Sequence, residues 1–187
     1  DRIRKGKPIL ICDDGSARCQ FLHVNDAAYV FISLLGRKEC FGEVYNVVNE
    51  KPFTWKEYHI EAMNVIGKKV ELIEVPFKDL SKFKIPRFGL CQDYTSHDAY
   101  YSSEKLLKIL PKFKSKISLN EGMHEVFKSM DEDGRIKNSF SQNWEDRIIR
   151  KKNKGSFKNG LLINAFLFNF DRIMVFIKRR LLRLLRL

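Results

Sequence analysis

Few residues of this sequence stand at spacings that do chemistry. Ser96, His97 and Asp98 are the residue types of a hydrolytic triad. They are consecutive, whereas a triad needs nucleophile, base and orienting carboxylate to converge from separate elements, so no nucleophilic hydrolysis is expected of them. The cysteines at 12, 19, 40 and 91 form no Cys-x-x-Cys pair. No His, Cys, Asp or Glu cluster has metal-ligand spacing, and no metal is expected. A reduced, cytosolic compartment is the simplest setting for such thiols. His23 reads as a packed strand histidine, and His59 and His124 as structural or exposed positions on helix faces.

The elements that must position these residues follow from apolar, turn and capping patterns. Residues 8–12 read as a short strand, and Asp13-Asp14-Gly15 as the turn that ends it. Residues 20–24 read as a second strand, with Asn25 or Asp26 capping a helix from Ala27. That helix, residues 27–35, is apolar nearly all round and so is expected to be buried on most faces; Gly36 ends it. Residues 43–49 read as a buried strand. Thr54-Trp-Lys-Glu57 and Ser118-Leu-Asn-Glu121 are capping boxes, opening helices to Ile66 and to about Met130. Residues 70–75 alternate as a half-exposed strand. Residues 77–100 read as a loop with one short helix near 78–83, and Ser102 caps a helix ended by Pro111.

The 187 residues, 44% hydrophobic and 12% aromatic, suffice for one globular domain with a real core. The chain begins at Asp1 rather than Met and shows no signal peptide there, so a piece of a longer protein is expected. The net charge of +12 is uneven: from Arg147 onward twelve Lys/Arg face one Asp, leaving +1 for residues 1–146. A basic surface spread over the fold would indicate nucleic acid, whereas charge confined to a tail indicates a partner for the tail.

The stretch Gly6-Lys-Pro-Ile-Leu-Ile-Cys-Asp-Asp-Gly-Ser-Ala-Arg-Cys-Gln-Phe-Leu-His-Val-Asn-Asp26 resembles the start of the C-terminal half of an extended short-chain dehydrogenase/reductase. That is the NAD-dependent sugar-nucleotide epimerase/dehydratase family. The family carries Gly-Lys-Pro, an apolar triplet, Gly-Asp-Gly, Arg-Asp-aromatic and a Val-x-Asp helix cap. Two departures stand out: Cys19 where the family has Arg, and Gln20 where it has Asp. The resemblance continues through Tyr45-Asn-Val, Tyr100-Tyr-Ser-Ser-Glu-Lys105, Leu110-Pro111 and Ser118-Leu-Asn-Glu-Gly122 to about Met130, roughly two-thirds of the chain.

The resemblance implies an α/β fold, the substrate-binding portion of a Rossmann-type enzyme. The complete protein would oxidise a sugar hydroxyl to a ketone with NAD or NADP, then epimerise, dehydrate or reduce it. The family's Gly-x-x-Gly-x-x-Gly lets the backbone approach a pyrophosphate. None of the ten glycines here has that spacing. This chain alone is expected to bind neither cofactor, and an N-terminal nucleotide-binding half is the implied partner. Tyr101 and Lys105 satisfy the family's Tyr-x-x-x-Lys acid/base motif literally. They fall where the family has a later, non-catalytic helix, so no catalytic residue is expected in this chain. Leu10, Ile11 and Cys12 align with residues that flank the substrate's base; read alone, they are a buried strand. The family Arg that holds the substrate diphosphate is replaced by Cys19, and its neighbour Arg18 points to the opposite strand face unless a bulge intervenes. The expected substrate set is Leu10, Ile11, Cys12 and Arg18, for a nucleotide-sugar or another small molecule. The competing reading is a non-catalytic binding module with a membrane- or partner-binding tail.

The domains are expected as a substrate-binding lobe at 1–130, a polar and basic linker at 131–158, and a basic amphipathic helix at 159–187. At 100° per residue, Phe166, Phe170, Ile173, Ile177 and Leu181 share one face of that helix; Arg179, Arg183 and Arg186 share the other. About 40 Å long, the helix is interrupted by Asn164, Asn169, Asp171 and Arg172, which makes it a poor span and a good fit to an anionic membrane surface. A cytoplasmic protein, peripheral on the inner face of the membrane, is the expectation, with nucleic acid a weaker partner. The helix could equally pack on a protein.

Overall fold

In the computed structural model the chain runs β1 (Ile9–Cys12), β2 (Arg18–Cys19), α1 (Val24–Leu34), a 3-10 turn (Lys38–Cys40), β3 (Phe53–Thr54), α2 (Trp55–Ile66), β4 (Leu72–Val75), α3 (Phe77–Leu80), α4 (Glu104–Ile109), α5 (Leu119–Glu132) and α6 (Trp144–Asn153). Residues 1–83, 85, 94–136, 138–139 and 143–154 are described. Asp1–Ile149 is one compact unit and Arg150–Leu187 a second.

Strand β1 pairs with β4 in parallel, from Ile9 opposite Leu72 to Cys12 opposite Val75. A parallel pair needs a crossover, and α2 lies between the two strands in the chain. Strand β2 pairs with β3 antiparallel, Arg18 opposite Thr54 and Cys19 opposite Phe53. One core gathers Ile3, Ile9, Ala62, Met63 and Met123, joining the N-terminal turn and β1 to α2 and α5. A second gathers Val30, Leu106, Leu110 and Phe113, joining α1 to α4.

Both capping boxes form. The Thr54 and Ser118 hydroxyls accept from the N–H of Glu57 and Glu121, whose carboxylates accept from the backbone of Thr54 and Ser118. Gly67 closes α2 at φ 71°. Helix α3 starts at Phe77, directly after Pro76.

Other expectations are corrected. Residues 20–24 form no strand, because β3 is two residues long and offers partners only to Arg18 and Cys19. Helix α1 starts at Val24, three residues earlier than expected. Its cap is His23, whose Nδ1 accepts from the Asn25 N–H at 3.3 Å. Asp26 is buried instead and accepts the backbone N–H groups of Lys116 and Ile117 at 3.0 and 3.1 Å. Helix α1 is covered on one face only: Asp26 and Val30 are buried, while Val24, Phe31 and Ile32 are exposed. Residues 43–49 form no strand, since no partner edge reaches them among the described residues. Helix α6 lies in the stretch that composition reads as a linker, its Ile148 and Ile149 buried. The face read for the tail, Phe166, Phe170, Ile173, Ile177, Leu181, Arg179, Arg183 and Arg186, lies outside the described residues, as does Cys91. Among the described residues, no helix is long and apolar enough to cross a membrane.

Candidate functional site

The turn after β1 sets the geometry. Asp13 adopts φ 51°, and its carboxylate accepts the Phe77 N–H at 2.9 Å, tying the end of β1 to the start of α3. Gly15 adopts φ 73°, and a Cβ there would lie 3.1 Å from Ile11 Cδ1 and 3.2 Å from Lys56 Cβ, so any other side chain is strained and crowded. Asp14 accepts the Ser16 N–H at 2.9 Å, an Asx turn that delivers the chain into β2.

On β2, neighbouring residues face opposite ways, as a strand requires. Cys19 is buried, its thiol donating to the Phe53 carbonyl at 3.3 Å. Burial, with the nearby Glu57 carboxylate second, pushes the thiol up to about 11. It is a neutral packing group that can neither attract an anion nor act as a nucleophile near neutral pH. Arg18 is exposed and clasped by Asp98. Its Nε and Nη2 donate to Asp98 Oδ2 at 3.0 and 2.6 Å, and its backbone N–H donates to Oδ1 at 2.9 Å. These bonds hold the Asp98 carboxyl below its ordinary range. The guanidinium also sits 5.4 Å from the centre of the Tyr100 ring.

Gln20 fixes this surface from behind. Its amide donates to the carbonyls of Asn49 and Tyr101 at 2.8 and 3.3 Å and accepts the Tyr101 N–H at 2.8 Å. The Ala99 N–H reaches the Arg18 carbonyl at 2.8 Å, so the chain around residue 99 runs along β2. A packed aromatic group backs it: Phe21 meets Trp55 edge-on at 5.8 Å, and Trp55 donates to the Tyr94 carbonyl at 2.7 Å. Tyr94, Tyr100 and Tyr101 are exposed. The result is a half-exposed guanidinium, held by Asp98, beside one exposed tyrosine ring, Tyr100, the residue types that can receive an anionic group and a planar or sugar ring.

The expected site residues separate. Leu10, Ile11 and Cys12 lie in β1, with Ile11 and Cys12 in the core and Leu10 half-buried, while Arg18 lies in the other sheet. Tyr101 and Lys105 do not assemble as a proton-transfer pair: the Lys105 ammonium binds Glu43 at 2.6 Å and lies 5.0 Å from the Tyr45 ring. Ser96 Oγ is 2.7 Å from His97 Nδ1, but Asp98 turns to Arg18, so no triad forms. His23 contacts Glu125 at 3.1 Å, and burial lowers the pKa of His59, which lies against Tyr58. No metal-binding group occurs among the described residues. Sequence reasoning named Asp98 and Tyr100 in other motifs but missed their place beside Arg18, which no local pattern signals; Gln20 announced itself only as a departure from the family pattern.

No family model matches the chain. The 2'-dehydrokanamycin reductase of Streptomyces kanamyceticus is 28% identical to it over 71 residues, 38% of this chain and 20% of that protein. The UDP-glucuronic acid 4-epimerase of Bacillus cereus, in complex with NAD, superposes with TM-score 0.52 at 15% identity, over 70% of this chain and 36% of the enzyme. The dTDP-glucose 4,6-dehydratase of Bacillus anthracis, in complex with NAD, superposes with TM-score 0.50 at 18% identity, over 72% and 38%. This chain thus spans a fifth of the curated relative and less than two-fifths of these structures. At such identities the likeness is one of fold: the chain carries part of the α/β fold of the extended short-chain dehydrogenase/reductases that include NAD-dependent epimerases and dehydratases.

Proposed function

We propose that this chain is the substrate-binding part of an NAD(P)-dependent sugar-nucleotide epimerase, dehydratase or reductase, with the cofactor and the acid/base groups supplied by a separate nucleotide-binding half. The observation that supports this best is Arg18, exposed on β2 beside the Tyr100 ring on a fold shared with such enzymes. In this reading the substrate diphosphate takes the Arg18 fork from Asp98, and Leu10, on the other sheet, contributes only if the substrate reaches β1. Ile11 and Cys12 act through packing. The alternative, a non-catalytic binding module, is favoured by the neutral Cys19 and by the occupied Arg18.

Titration calorimetry of the complete protein with UDP-glucose and dTDP-glucose tests the reading. Charge-assisted bonds are worth about 1.5–3 kcal/mol, so Arg18→Ala is expected to weaken binding at least about tenfold. Unchanged affinity removes Arg18 from the site, and no binding of either sugar nucleotide favours the module. The present chain alone should bind neither NAD nor NADP at micromolar concentration.

A further inference from the structure

Strand β1 has one strand partner among the described residues, β4. The Ile9 and Asp13 N–H groups reach the Glu71 and Val75 carbonyls at 2.9 Å. A trans peptide points its carbonyl and its N–H in opposite directions. The Pro8 carbonyl and the Leu10 N–H therefore lie on the other edge of β1, away from β4. Side chains occupy that edge. Arg2 Nε and Nη2 donate to the Pro8 carbonyl at 2.9 and 2.7 Å. Arg2 Nε also lies 3.1 Å from the Glu145 carboxylate of α6. Burial pushes that carboxyl up, while Arg2 and the Leu10 N–H turned toward it favour its ionised form. A donor and an acceptor thus stand side by side on β1, as the peptide groups of a neighbouring strand would.

Helix α6 is anchored where it stands. Asp146 takes Arg2 Nη2 at 2.8 Å and the Lys7 ammonium at 2.9 Å. Ile148 and Ile149 are buried. The Arg2 and Glu145 side chains are 10% and 20% exposed, positions that a guanidinium and a carboxylate hold only when paired. The helix lies past residue 130, outside the stretch that resembles the family. The strand beneath it, Ile9–Cys12, carries none of the charges that guard an exposed edge.

We infer that α6 is a clip over the outer edge of β1, with Arg2 and Glu145 standing in for a strand, and that the partner it holds off is the same edge of a second copy of this chain. Two such edges complement each other: antiparallel pairing about a two-fold axis brings outward N–H groups to outward carbonyls.

Amide exchange at Leu10, read by NMR on the full chain, decides, with light scattering giving the mass. In the natural chain Leu10 should exchange slowly at every protein concentration. Glu145→Leu keeps the bulk and removes the acceptor. Leu10 should then exchange at least about tenfold faster in dilute solution, and slow again on concentration as the mass doubles. Ile148→Ser weakens the seat of α6, leaves Arg2 and Glu145 in place, and should do the same. Asp146→Asn takes a charge from the same Arg2 but no group from the edge, and should behave as the natural chain. Fast exchange of Leu10 in the natural chain overturns the clip whether or not a variant folds. So does unchanged exchange in Glu145→Leu, or an equal effect of Asp146→Asn. Fast exchange in the variants at every concentration, or a doubled mass that leaves Leu10 fast, overturns the second copy as the partner.

Discussion

At residue scale, Cys19 shows how one side chain closes off a chemistry. A surface arginine in its place would bring a fork of donors; the buried thiol brings none, and burial raises it from 9.0 to about 11. The folded state therefore favours the protonated form. That contribution to stability is complete below pH 9 and is lost as pH rises through about 11. Denaturation midpoints of the natural chain should fall further than those of Cys19→Ala between pH 9 and 11; parallel curves would mean the thiol is not desolvated. At pH 8, iodoacetamide should modify Cys19 about 100-fold more slowly in the folded chain than in urea, read by peptide mass spectrometry.

At the scale of elements, what is local in sequence is legible. The capping boxes at Thr54/Glu57 and Ser118/Glu121 close within four residues, so their sequence determines them, and the helices they open begin where expected. The Asp13-Asp14-Gly15 turn is legible in the same way, through its Asx bond from Ser16, although Asp13 also binds the distant Phe77 N–H. The opposite faces of Arg18 and Cys19 were readable from strand alternation alone. What depends on a distant partner is not legible. Strand β2 stops at Cys19 because β3 is short, and Arg18 is clasped by a carboxylate 80 residues away. Asp26 was readable as a helix cap, but it serves a loop 90 residues on. That link makes a prediction about α1 and α5 together. Asp26→Ala leaves the N–H groups of Lys116 and Ile117 without their acceptor at the approach to α5, and should cost about 2–3 kcal/mol in urea denaturation. Asp26→Asn keeps one acceptor oxygen and should cost less. Equal losses would place the effect in charge rather than in acceptance.

At the scale of the molecule, the excess charge lies from Arg147 onward. If the tail is a membrane-surface helix, each Lys or Arg near an anionic bilayer adds roughly 1 kcal/mol. The full chain should sediment with vesicles containing phosphatidylserine, less with phosphatidylcholine alone, and truncation after Lys158 should abolish it; equal sedimentation without the tail ends the idea. The outer edge of β1 and the helix that closes it carry a different whole-molecule consequence. An unpaired edge accepts any extended segment that reaches it, including its own copy. Two parts joined in one polypeptide meet at an effective concentration on the order of millimolar, whereas separate copies meet only at their bulk concentration. Where the two parts belong to one polypeptide, that continuity keeps self-pairing from competing. A cut between the parts would turn an assembly indifferent to dilution into one governed by it.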